Sequence, residues 1–75
     1  MEYTDYTVRA DFYPDGEIIP LGITDSHGNS YFVNRIIEIM RTGDSSICFK
    51  CSTIGKGVFL LSFSHDRWTV CKVQN

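Results

Sequence analysis

Turn signals recur along this chain at short, regular intervals, which is the spacing of an all-β sandwich or barrel. They stand at Pro14-Asp15-Gly16, Asp25-Ser26-His27-Gly28-Asn29, Thr42-Gly43-Asp44-Ser45, Gly55-Lys56-Gly57 and His65-Asp66-Arg67. Asp-Gly suits a tight turn because glycine takes positive φ without steric cost and aspartate tolerates it; Pro14 arrives with its own φ already fixed.

Five turns separate six runs. In the first, Tyr6, Val8, Ala10 and Phe12 alternate with Thr7, Arg9 and Asp11, the pattern of a half-buried strand. In Glu17 to Ile23, alternation sets Ile19, Leu21 and Ile23 on one side and Pro20 on the other; proline cannot donate to a ladder, so Pro20 marks an edge strand or a bulge. Phe59, Leu61 and Phe63 alternate within Val58 to Ser64, and Trp68, Val70 and Lys72 alternate with Thr69, Cys71 and Val73 in the last run.

Ser30 to Arg41 reads two ways. Phe32, Ile36, Ile39 and Met40 sit at helical spacing, whereas Tyr31, Val33, Ile37 and Ile39 follow a strand register interrupted near Arg35. The β-branched content and the lack of alanine favour a pleated strand, with a bulge near Asn34-Arg35 reconciling the two registers. The predicted fold class is therefore all-β, a small antiparallel six-stranded barrel or roll, of which an SH3-like barrel is one form. Tyr6, Val8, Phe12, Ile19, Leu21, Ile23, Phe59, Leu61, Phe63 and Val70 make up its predicted core.

With 75 residues there is room for a single domain and a single core. A chain this short buries only about 60% of the surface it exposes when unfolded, so a partner subunit would add usefully to its stability. The formal charge of −2 is small and of the wrong sign for a protein that neutralises many phosphates. Charge is unevenly distributed, however: residues 1–38 carry seven acids against two bases, and residues 39–75 five bases against two acids. Interleaved strands would erase that asymmetry in space, and interleaving is the expectation. The acidic start, the absence of a long apolar run and the odd count of three cysteines fit a cytoplasmic protein.

Few constellations carry chemistry. Cys48, Cys51, His65 and Cys71 have the residue types of a Cys₃His zinc site. On a regular strand, however, positions 48 and 51 face opposite ways, so no metal is expected there. A Cys51 nucleophile with His65 as base, oriented by Asp66, ranks third among the functional readings; the expectation is that the protein is not an enzyme and uses no cofactor. Lys56-Gly57-Val58-Phe59-Leu60-Leu61-Ser62-Phe63 has the outline of an RNA-binding strand, but the stacking positions hold Val58 and Leu60.

The leading expectation is a non-enzymatic interaction module that binds protein, or a second copy of itself as a homodimer, through a strand edge or an aromatic rim. Tyr3, Tyr13, Tyr31 and Trp68 are the candidate partner-binding residues, because a ring with a polar tip suits an interface. The alternative is weak nucleic-acid binding by the basic second half, through Lys50, Lys56, Arg67 and Lys72.

The pattern Phe12-x-x-Asp15-Gly16-x-x-x-Pro20, then Gly28-x-x-Tyr31-x-Val33-x-x-Ile36, then Arg67-Trp68-x-Val70, resembles that of a group of short bacterial β-proteins. The resemblance implies a small β-barrel or roll and carries no established activity.

Overall fold

A computed structural model describes the backbone of residues 2–43 and 45–73 and the side chains of 5–43 and 45–73. Each predicted run is a strand: β2 (Thr7–Phe12), β3 (Ile18–Thr24), β4 (Ser30–Arg41), β5 (Ile47–Thr53), β6 (Gly57–Ser64) and β7 (Arg67–Val73). A three-residue strand, β1 (Glu2–Thr4), precedes them and pairs with β7. The pairings are all antiparallel, and the sheet order β1-β7-β6-β5-β4-β3-β2 curls into a half-barrel that brings β2 back against β7.

That order corrects the expectation of interleaving. Apart from β1, the strands of the acidic half and those of the basic half stay contiguous, because each hairpin pairs with its sequence neighbour. Residues 5–32 carry five acids against Arg9 alone, and among the described residues beyond them bases predominate. The charge asymmetry therefore survives in space.

Ser30–Arg41 is one long strand, and its helical spacing does not make a helix. The β4–β5 register shifts between Val33 and Arg35, where the expected bulge falls, and again between Ile36 and Glu38. β4 changes partner at the first shift. Its start pairs with β3 through Ser30–Phe32, and the remainder pairs with β5. At the β3 crossing, a Cβ on Gly22 would lie 3.0 Å from the Tyr31 carbonyl oxygen, so a larger residue there would push the two backbones apart.

A further bulge decides which apolar residues face inward. The β2–β3 register pairs Arg9 with Gly22 but Ala10 with Pro20, leaving Leu21 as the extra residue. Pro20 thus marks a bulge, and the bulge reverses the expected faces: Pro20 is buried, Ile18 packs on the core, and Ile19 points away from it. Ile19 and Leu21 are accordingly not core residues.

The observed core is Ile23, Ile47, Phe49, Cys51, Phe59, Leu61 and Val70. β5 supplies three of the seven by strict alternation, with Ile47, Phe49 and Cys51 inward and Cys48, Lys50 and Ser52 outward. Burying a side chain the size of Phe49 contributes about 1.5–3 kcal/mol, so its strand is a main support that the predicted core lacked. Tyr6, Val8 and Phe63 pack against the core but are only partly buried, and Phe12 lies open to solvent.

Candidate functional site

The half-barrel has an open end built by the register. Phe12 stands opposite Ile18, Phe63 opposite Ile47 and Trp68, and Ile39 opposite the buried Phe49. Cross-strand neighbours share a face, so Phe12 and Ile39 are inward-facing residues. Nevertheless they are 57% and 50% exposed, because the strands on either side diverge there. β3 meets β4 only from Gly22 to Thr24, and β4 runs on from Arg35 to Arg41 with β5 as its only ladder partner among the described residues. One edge of β4 and the facing edge of β3 over Ile18–Leu21 thus present unpaired backbone groups among the described residues.

A chain of rings leads from this mouth into the core. Phe12 meets Phe63 edge-on at 5.4 Å, Phe63 meets Trp68 at 4.9 Å, and Trp68 meets the fully buried Phe49 at 6.1 Å. Trp68 is the half-buried middle of this stack rather than a free rim residue. Tyr13 lies past the end of β2, 45% exposed, in the β2–β3 turn. Tyr31 is half-buried against the core at the other end of the barrel, with the Lys56 ammonium 5.4 Å from its ring centre. The side chain of Tyr3 lies outside the described residues. The structure therefore brings Tyr13 and Trp68 to one end and separates Tyr31 from them.

The sequence reading missed Phe12, Ile39 and Met40 as surface groups. A signal was present in the length of the run. A strand of 12 residues beside partners of seven has to overhang one of them.

The other candidates do not gather. Cys51 is fully buried opposite Phe59, and His65 follows Phe59 by six residues, roughly 20 Å along an extended strand. His65 instead meets Ser64, whose Oγ is 3.0 Å from Nδ1 and accepts a hydrogen bond from Ser46 Oγ at 3.0 Å. His65 and Asp66 both take positive φ, 53° and 60°, as a two-residue hairpin turn requires. Cys48 and Cys51 alternate faces, and Cys71, although buried, stands opposite Leu60 in the register that faces away from Phe59 and Leu61. All three cysteines are free. Burial pushes the Cys51 thiol up to about 11, with a smaller contribution from Cys48.

The bases of the nucleic-acid reading are also dispersed. Lys50 lies on the outer face of β5, Lys72 in the opposite register opposite Phe59, Lys56 in the β5–β6 turn and Arg67 at the far end of β6 and β7. Among the described residues, Lys56 is the one of the four that holds its charge over an aromatic ring, that of Tyr31.

No family model, curated protein or solved structure matches the chain. No helix among the described residues is long and apolar enough to cross a membrane.

Proposed function

We propose that this chain is a non-enzymatic interaction module, a small SH3-like barrel that binds protein or a second copy of itself through its open mouth and the β4 edge. The observation that carries the reading is the exposure of Phe12 and Ile39, two inward-register side chains, beside an unpaired strand edge. Large apolar groups next to free backbone donors and acceptors fit strand addition, in which main-chain hydrogen bonds supply affinity and side-chain pockets supply selectivity. Three free cysteines support a cytoplasmic location as part of the same reading.

Light scattering across a concentration series, with capture of partners from lysate, tests it. The expected result is a mass that rises with concentration or a captured protein, lost in the double variant Phe12→Ser, Ile39→Ser under conditions where that variant, although it melts several degrees lower, is still fully folded. A strict monomer with no protein partner overturns the reading.

A further inference from the structure

The bulge at Leu21 turns Ile19 outward, and an open depression of about 380 Å³ lies between it and the β2–β3 turn. Tyr13, Pro14, Asp15, Glu17 and Ile19 line it. Binding sites for whole small molecules span about 300–1,000 Å³, so this one is at the small end, the size of one long side chain and its neighbour.

The turn that forms the wall is held in shape. The Tyr13 N–H donates to the Glu17 carbonyl at 2.9 Å, the Gly16 N–H to the Tyr13 carbonyl at 2.9 Å, and Asp15 Oδ1 accepts the Glu17 N–H at 3.0 Å. Gly16 supplies the φ of 90° that closes it. A wall fixed by three hydrogen bonds and a proline loses little freedom on binding.

Its electrostatics select the occupant. Asp15 and Glu17 stand in the wall, and Asp11 is the cross-strand neighbour of Ile19 on the same face. Among the described residues none of the three is paired with a base. The contrast with two other rings is direct: Phe32 carries the Arg9 guanidinium 5.7 Å from its centre and Tyr31 the Lys56 ammonium at 5.4 Å, whereas Tyr13 stands beside carboxylates with no cation over it among the described residues. An aromatic face beside carboxylates attracts a cation twice over, through the ring quadrupole and through charge. Ile19 and Pro14 add apolar surface for the stem of that side chain.

We infer that this depression is a binding site for a lysine or arginine side chain carried on an extended, apolar segment of a partner protein. The inference rests on the proposed interaction role and gives it a ligand chemistry. The free edge of β3 over Ile18–Leu21 borders the site and gives such a segment a track to lie along.

The test is an amide-shift titration of the labelled full chain with three short peptides, in which arginine, lysine or glutamate alternates with leucine and proline. The arginine and lysine peptides are expected to shift the amides of Tyr13 to Ile19, and the glutamate peptide to leave them unmoved. In the double variant Asp15→Asn, Glu17→Gln, where Asn keeps the acceptor for the Glu17 N–H, binding is expected to weaken about tenfold at an unchanged melting temperature. Raising salt from about 50 to about 500 mM is expected to weaken the wild type and not the variant. Equal shifts with the glutamate peptide overturn the inference, as do shifts confined to Phe12, Ile39 and Trp68 or no shifts at all. Failure of the broader interaction role registers separately, in the scattering and capture measurements on the mouth variant.

Discussion

Phe12 stacks edge-on against Phe63 at a centroid distance of 5.4 Å and an interplanar angle of 61°, yet more than half of its surface remains in water. One edge of the ring does structural work and the rest is available. An aromatic pair contributes about 0.5–1.5 kcal/mol beyond area burial, so Phe12→Ala is expected to cost about 1–2 kcal/mol of stability. Urea titration measures this; a loss above about 3 kcal/mol would place Phe12 in the core and remove it from the proposed mouth.

Phe59 is the opposite case, fully buried and stacked against Tyr6 at 5.3 Å. Its truncation to alanine is expected to cost about 3–5 kcal/mol, against a total of about 4–10 kcal/mol for a domain of this length. Phe63→Ala should cost less, because Phe63 is only partly buried. Thr7→Ala, on an exposed position, should stay within about 0.5 kcal/mol. Lys56→Ala should lose only what an exposed cation–π contact gives, about 0.5–1 kcal/mol. Thermal melts of the four variants, ordered Phe59, Phe63, Lys56, Thr7 from most to least destabilised, check the assigned register.

The strands were legible because their turn residues have local requirements that no tertiary contact overrides. Gly16 and Gly28 take φ near +90°, and the Pro14-Asp15-Gly16 and Asp25–Asn29 segments form the turns their composition implies. The faces of β3 were not legible by alternation, because one extra residue at Leu21 reverses every side chain on its far side. Pro20 signalled the irregularity without saying where the register would resume. For the candidate site, ring chemistry picked out Tyr13 and Trp68, which the fold places at one end. Phe12 and Ile39 were hidden by their own hydrophobicity, since their exposure depends on where β4 parts from β3, a non-local event.

Cys51 makes alkaline stability a reporter of its strand. Below about pH 9 the thiol is protonated in the folded and unfolded chains alike and contributes nothing to pH dependence. As the pH rises from about 9 to about 11 the unfolded chain releases its proton while the folded chain, whose thiol is held up to about 11, does not. Stability therefore falls across that window, by about 2–3 kcal/mol at most. Cys51→Ala is expected to begin less stable and to lose less over the same range. Parallel alkaline slopes in the two proteins would mean that Cys51 is reached by water. Thiol reagents should accordingly modify the half-exposed Cys48 before Cys51.

Asp25 governs the acid limb. Its carboxylate accepts the Asn29 N–H at 2.9 Å, the Asn29 side-chain amide at 3.4 Å and the His27 N–H at 2.9 Å, and the Asn29 backbone bond is the largest cause of a pKa below the ordinary 3.8. Desolvation, the next cause in size, opposes that shift, while the Asn29 amide, the His27 N–H and the His27 charge reinforce it. A group with a depressed folded pKa stabilises the fold above its unfolded pKa, and that contribution is lost as the pH falls through the folded one. The β3–β4 turn thus gains from an ionised Asp25 at neutral pH and loses the gain in acid. Asp25→Asn keeps an acceptor oxygen but not the charge, so it should melt below the wild type at pH 7. The gap should begin to close as the pH drops below about 4 and vanish once it is below the depressed folded pKa, where both side chains are neutral. A gap that persists undiminished into acid would show that Asp25 acts through the shape of its side chain and not through its charge.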